Sequence, residues 1–176
     1  AYTVTNGFDP EKMSNGKANL TSKFTITYTG QIYTGKQDTS KLLIALKDLI
    51  SQGTINPNEV EVRFYGPQDK QLSKNIEECG LSAVIKQCGI ISRETSFEKQ
   101  RESQILLLLN WEDPLEKGVI PGKIFEYFAA QRPLLVTGGF GNDVVEMLLK
   151  ETNSGVYCST IEDIRNALKE LYSEYK

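Results

Sequence analysis

Five apolar residues in a row, Ile105–Leu109, stand between Gln104 and Asn110 and leave no polar face. A half-exposed strand would alternate with period two, and a run this short is strand-sized rather than helix-sized. It reads as a strand buried on both faces, which is the condition of a central strand in a parallel sheet covered by helices. Parallel neighbours require crossover helices, so the chain is expected to be an α/β layer structure. With 176 residues and 39% hydrophobic content, it can fill one core of ordinary domain size.

The rest of the chain alternates short apolar segments with longer amphipathic ones. Strands are expected at residues 22–30, at 59–65, where Val60, Val62 and Phe64 turn inward before Gly66-Pro67, briefly at 83–85, at 134–137 and at Gly155–Cys158. Asp38-Thr39-Ser40 caps a helix whose Leu42, Leu43, Leu46, Leu49 and Ile50 form one stripe before Gly53. Further helices are expected at Lys70–Cys79, closed by Gly80, at 96–103, at 121–131, from about 142 to 151, and after Thr160, with Ile164, Leu168 and Leu171 at helical spacing. The fold class is a Rossmann-like three-layer α/β/α with a mainly parallel sheet. No repeat or internal linker interrupts it.

Charge and composition exclude several functions. Net charge is -3 with Lys and Arg spread along the chain, which gives no footprint for nucleic acid. The longest apolar run falls far short of the roughly 20 residues that span a bilayer, so no transmembrane segment is expected. Three cysteines at wide spacing, Cys79, Cys88 and Cys158, match neither a disulfide framework nor a zinc site, and point to a reducing cytoplasm. The chain has no histidine, which removes Ser-His and Cys-His pairs, histidine metal sites and imidazole acid–base chemistry.

The stretch from Gly118 to Pro133 carries the functional signal. Pro121 suits the first turn of a helix, and Lys123 then lies at the positive end of the helix dipole, where a cation costs about 0.3–1 kcal/mol. A bound anion reverses that sign. The amides of Gly122 and Lys123, with no side chain on Gly122, make a candidate phosphate cradle. Glu126, three residues on, shares the face of Lys123 and can accept two hydroxyl hydrogen bonds from a vicinal diol; an ordinary surface Lys-Glu pair is the plainer reading. Trp111 either stacks on a sugar or base or is buried at a strand end. Glu112, Asp113 and Glu116 crowd after it, and no metal is expected there. The loop from Thr137 to Asp143, rich in glycine, either lines the ligand crevice or turns the chain.

The segment from Pro121 to Ala130, followed by Arg132-Pro133-Leu134-Leu135-Val136, resembles the donor-site helix of glycosyltransferase family 4 (group 1), the retaining nucleotide-sugar enzymes of GT-B fold. Glu126 matches the second glutamate of that family's E-x7-E motif. The resemblance implies that Glu126 binds the donor ribose and that Lys123, with the helix N-terminus, faces the diphosphate or the sugar. The first glutamate of the motif falls on Gly118, with Glu112 and Glu116 as nearby substitutes. The segment from Tyr28 to Lys36 is similar to the family's glycine turn after the first donor-domain strand; Gln31 stands where many members carry arginine, and Lys36 can supply the charge without arginine's bidentate fork. Taken alone, Gly30 and Gly35 are turn residues. The loop from Gly89 to Arg93 occupies the place where the family holds the nucleotide base against backbone.

The segment from Tyr2 to Asp9 resembles the point where the family's chain passes from an N-terminal, acceptor-binding domain into the donor domain. On this reading the sequence, which opens on Ala1, begins in mid-protein: residues 1–22 are an inter-domain connector and 23–176 the donor domain. The resemblance implies a donor-binding set of Gly30, Gln31, Gly35, Lys36, Arg93, Trp111, Pro121, Gly122, Lys123, Ile124 and Glu126, with no metal and no cofactor beyond the nucleotide-diphosphate sugar as substrate. It places acceptor glycan or lipid, and the family's important histidine, on the missing half. Bacterial polysaccharide assembly, in the cytoplasm or at the inner membrane face, is the usual setting. The alternatives are a non-catalytic nucleotide- or protein-binding α/β module, for which the acidic strand ends of a receiver are missing, and a degenerate glycosyltransferase, which Gly118 and Gln31 favour.

Overall fold

The computed structural model describes residues 7, 18–116 and 118–176, so most of the expected connector lies outside the described residues. In chain order the elements are β1 (Phe24–Thr29), α1 (Ser40–Ser51), β2 (Val60–Tyr65), α2 (Lys70–Cys79), β3 (Ile85–Gly89), α3 (Arg93–Arg101), β4 (Ile105–Leu109), a 3₁₀ turn (Pro114–Glu116), α4 (Lys123–Ala130), β5 (Leu134–Thr137), α5 (Val144–Thr152), β6 (Gly155–Cys158) and α6 (Ile161–Tyr175). The strands form one sheet in the order β3-β2-β1-β4-β5-β6. Every pairing is parallel, with Phe24 opposite Val60, Ile26 opposite Ile105 and Leu106 opposite Leu134. This is the Rossmann-like α/β architecture expected from the sequence.

β4 divides its apolar side chains between the two layers. Ile105, Leu107 and Leu109 join Phe24, Ile26 and Tyr28 of β1 in a core packed against α1, α2 and α6. Leu106 and Leu108 join Leu134 and Val136 in a second core under Ile124 and Tyr127 of α4 and Val145 and Leu149 of α5. β1 itself reads Phe-Thr-Ile-Thr-Tyr-Thr and is buried throughout, so its second face is hydroxylic. That face is covered by α3 and the turn after it: Gln100 Nε2 donates to Thr29 Oγ1 at 3.1 Å, Ser103 Oγ to Thr27 Oγ1 at 2.7 Å, and Gln104 Oε1 accepts from the Thr25 amide at 2.8 Å. Burying these groups is tolerable because all but Gln100 Oε1 are paired.

Several boundaries differ from the expectation, β1 among them, which runs over Phe24–Thr29 rather than 22–30. β3 runs over Ile85–Gly89 rather than 83–85, because it is an edge strand with a polar outer half, Lys86-Gln87-Cys88, that carries no apolar signal. α3 begins at Arg93 rather than 96 because Ser92 caps it, accepting from the Thr95 amide. α4 is shorter than expected, with Pro121 outside it and Gly122 at its N-cap. α5 starts at Val144, since Asp143 accepts from the amides of Val145 and Glu146. Truncating the central strand tests the two-core arrangement: Leu107→Ala should lower the stability of the chain by about 2–5 kcal/mol, measured by urea denaturation, while exposed Ile44→Ala should change it by less than about 0.5 kcal/mol.

Candidate functional site

The strand order reverses between β1 and β4, and in open α/β sheets the crevice beyond the carboxyl ends of such strands is where ligands bind. Here that edge is built from the β1–α1 loop, the residues after β4 and the N-terminus of α4. Gly122 is exposed, and a Cβ on it would meet nothing within 4 Å. The amides of Ile124 and Phe125 are taken by the Pro121 and Gly122 carbonyls, whereas those of Gly122 and Lys123 have no acceptor among the described residues. Two donors therefore stand open at the positive end of the helix. Pro121 supports this turn through its carbonyl.

Lys123 does not point out of that turn. Its Nζ donates to the Thr29 carbonyl at 2.7 Å and lies 3.9 Å from the centroid of the Tyr28 ring. The cation that the helix dipole disfavours is thus held by a strand-end carbonyl and an aromatic face, contacts within the chain that offset part of the cost expected from its position. Gly30 is part of the same contact. Its φ is +120°, and a Cβ there would stand 2.7 Å from Lys123 Nζ. Enclosure lowers the Lys123 pKa to about 8, against a smaller opposing pull from Glu126. One turn on, the Tyr127 hydroxyl accepts from the Thr29 amide at 3.1 Å, and burial pushes its pKa up to about 12.

Glu126 meets Arg93 across the edge, with Arg93 Nη2 3.3 Å from Glu126 Oε1 and the guanidinium 5.4 Å from the Phe97 ring. Two residues 33 positions apart, both assigned to the site from sequence, are brought together. Lys36 lies 4.6 Å from the Trp111 ring centroid and 3.7 Å from Glu116, and its carbonyl accepts from the Glu112 amide at 2.8 Å. Glu112 pairs with Lys41. Both acids named as substitutes for the missing motif glutamate thus hold lysines, while Gly118 is exposed and a Cβ on it would meet nothing within 4 Å among the described residues. Gly35 turns the loop at φ +82°. Gln31 is exposed, and its carbonyl accepts from the Tyr28 hydroxyl at 2.7 Å. Ile124 is fully buried in the second core and supports the site from below rather than lining it.

Two features escaped the sequence. Tyr33 stacks on Trp111 with ring centroids 5.4 Å apart and is 48% exposed, so the aromatic surface offered to solvent is chiefly the tyrosine's. The Tyr127–Thr29 clamp was legible in one respect: Tyr127 lies four residues after Lys123 and shares its helix face. The glycine loop after β5 is fastened to β6, since Tyr157 donates to Asp143 and Asn110 Nδ2 reaches the same carboxylate at 2.8 Å. Gly139 permits this at φ +73°, where a Cβ would fall 2.1 Å from the Tyr157 hydroxyl. Among the described residues no group of acidic, cysteine or histidine side chains is placed to hold a metal, and no helix is long and apolar enough to cross a membrane.

No family model matches the sequence, and no curated protein matches it. Solved structures do. WaaG, a glycosyltransferase involved in lipopolysaccharide biosynthesis, superposes with a TM-score of 0.73 at 12% identity over 96% of this chain and 46% of its own. The C-terminal domain of a group 1 family glycosyl transferase, LpcC from Francisella tularensis, gives 0.65 at 16% identity, covering 95% of this chain and 88% of that domain. A UDP-N-acetylglucosamine 2-epimerase gives 0.61 at 11% identity, covering 93% and 39%. The chain therefore has the fold of a GT-B glycosyltransferase domain and spans less than half the length of WaaG or the epimerase.

The enclosed ammonium has a measurable signature. Between about pH 8 and the ordinary lysine value of 10.5, the unfolded chain keeps a proton that the folded chain has lost, so the Lys123 contribution to stability rises with pH. Below that window the full cost of the enclosed charge is present. The stability of the native chain minus that of Lys123→Met, from urea denaturation, should climb across this window; a flat difference would show that the ammonium is solvated.

Proposed function

We propose that residues 23–176 are the donor domain of a retaining group 1 glycosyltransferase of family 4 type, which moves a sugar from a nucleotide-diphosphate carrier to a glycan or lipid-linked acceptor. Residues 1–22 are then the connector from an acceptor-binding N-terminal half, and this chain alone binds the donor without turning it over. The observation that carries the reading is the pair of open amides at Gly122 and Lys123, above a fixed ammonium and one turn before Glu126, at the strand-order reversal. Phosphoryl oxygens fit those amides, and Glu126 takes the ribose hydroxyls.

Lys123, Lys36 and the backbone at Gly30, Gly35 and Gly122 are assigned to the diphosphate, Arg93 and the loop before it to the nucleoside, and Trp111 with Gln31 to the rim. As the glycosidic bond breaks, charge builds on the departing diphosphate, and donors already in place lower the barrier without reorganising. The neighbours WaaG and LpcC are transferases, and bacterial polysaccharide or lipopolysaccharide assembly is the setting proposed by analogy with them. No metal has a part in this scheme. A second reading, a nucleotide-sugar protein that no longer transfers, draws on Gly118 in the place of the first motif glutamate and on the epimerase of the same fold.

Thermal unfolding of the chain with UDP, GDP, ADP and their sugars tests donor binding. A ligand at 100 times its Kd stabilises by about 2.7 kcal/mol, a rise of some 2–4 °C per kcal/mol for this size. Glu126→Ala should lose most of that rise, and Lys123→Met should weaken it at least tenfold in apparent Kd. Equal shifts in all three proteins would reject the ribose and diphosphate assignments. Transfer by the full-length protein separates the active enzyme from the second reading.

A further inference from the structure

A second concave surface lies across the β1–α1 loop from α4. It is a cavity of about 260 Å³, walled by that loop and by Asp69, Gln71, Leu72 and Asn75 at the amino end of α2. None of Arg93, Gly122, Lys123 and Glu126 lines it, and Leu72 belongs to the first core whereas Ile124 of α4 belongs to the second. Its walls are fixed by the chain itself. The Asp69 carboxylate accepts from the Leu72 amide at 2.7 Å and from Thr34 Oγ1 at 3.0 Å, and the Tyr33 carbonyl accepts from the amides of Lys36 and Gln37 at 3.0 Å.

The cavity offers hydrogen-bond donors and acceptors together. Gln71 Nε2 donates to Asn75 Oδ1 at 2.8 Å, which leaves the Asn75 N–H groups and the Gln71 carbonyl oxygen without a partner among the described residues. Asp38, Asp69 and Glu112 line the space, with Lys36 as the one cation among its lining residues. Each carboxylate already accepts from the chain, Asp38 from the Ser40 amide, Asp69 from Leu72 and Thr34, and Glu112 from Lys41. The surplus of acid thus repels an anion, while no bare carboxylate calls for a cation. The volume falls just below the roughly 300–1,000 Å³ of sites for drug-sized ligands, which favours a single ring over a nucleotide. Lys36 also stands 4.6 Å from the Trp111 ring centroid, so the cavity adjoins the Tyr33–Trp111 stack and its half-exposed tyrosine.

We propose that this cavity holds one pyranose unit of a neutral glycan, with Tyr33 carrying the next unit. The hydroxyls around a sugar ring donate and accept at once, and they find both partners in the Asn75 N–H groups, the Gln71 carbonyl oxygen and the Asp38 carboxylate. The C–H face of the adjoining ring lies on the exposed aromatic surface. The ligand is a glycan in its own right rather than the sugar of a nucleotide carrier, since the open amides of Gly122 and Lys123 belong to the α4 side of the loop. The site therefore stands without the donor reading; on that reading the glycan is the acceptor, and this chain supplies part of its hold.

The test is a titration of the isotopically labelled 176-residue chain with the methyl glycosides of glucose, galactose, mannose and N-acetylglucosamine and with their disaccharides, following the side-chain amide resonances of Gln71 and Asn75. At least one glycoside should give a saturable shift, and its disaccharide should bind more tightly. Asn75→Asp, nearly the same shape but without the donor, should weaken both about tenfold. Tyr33→Ala, at an exposed position, should weaken the disaccharide about fivefold and leave the monosaccharide unchanged. Glucuronate should bind more weakly than methyl glucoside, and methylammonium should give no saturable shift. UDP should shift the backbone amides of Gly122 and Lys123 instead, so failure of the donor reading and failure of the glycan site are read from different resonances. The proposal is overturned if none of these sugars gives a saturable shift, if the shift survives Asn75→Asp, if glucuronate or methylammonium binds as tightly as the glycoside, or if a UDP-sugar moves the Gln71 and Asn75 resonances at lower concentration than the free glycoside does.

Discussion

The bond from Lys123 Nζ to the Thr29 carbonyl, 94 residues away in sequence, sets the geometry of the functional edge. Thr29 is held at all its polar atoms: its amide by Tyr127, its carbonyl by Lys123 and its hydroxyl by Gln100. Two side chains of α4 and one of α3 thus fix the end of β1, and with it the β1–α1 loop. A lysine in the first helical turn opposes the dipole by about 0.3–1 kcal/mol. The carbonyl and the Tyr28 ring offset that, and the cost that remains is desolvation, seen in the lowered pKa. Gly30 follows directly, since any side chain at its Cα would displace the ammonium.

The clamp works only because β1 is polar on one face. An apolar β1 would pack well enough against a helix, but it would offer no hydroxyl for Gln100 and no reason for α3, whose own surface is strongly polar, to dock there. The three threonines give α3 its register through Gln100, Ser103 and Gln104. Arg93, the first residue of the same helix, is thereby carried to Glu126. A polar layer inside the fold, in other words, positions an ion pair at its rim.

Much of this was open to a reader of the sequence. Ile105–Leu109 required a central parallel strand, and the leucine stripe of α1, its start after Asp38-Thr39, and the left-handed Gly53 and Gly80 at helix ends follow local rules that hold irrespective of the fold. The Pro121-Gly122-Lys123 turn located the helix end where two amides remain open. What stayed hidden were features whose signal is not apolar: edge strand β3, the cap of α3 at Ser92, and the aim of Lys123. Position along a helix tells which face a residue shares but not whether a flexible stem of four methylenes runs outward or inward. That was decided by Thr29 and Tyr28, distant in sequence and adjacent only once the sheet has formed.

The two charged groups of the α4 turn differ in how easily they can change partner, and this difference bears on the proposed donor site. The Arg93–Glu126 pair is exposed on the arginine side, and a pair of that kind contributes about 0–1 kcal/mol. Separating it costs little, so a ribose diol can take the carboxylate while the guanidinium turns to the nucleoside. Lys123 has no such freedom, since moving it would strip the Thr29 carbonyl of its donor and leave a buried group unpaired. On the proposed reading the diphosphate therefore meets a cation that is already in place, together with two amides that need not move, while the nucleoside is admitted by exchange of a weak ion pair. Placing the fixed charge beneath the phosphates and the exchangeable one at the rim directs the electrostatic stabilisation to the bond that breaks, without tying the nucleotide so firmly that its release becomes slow.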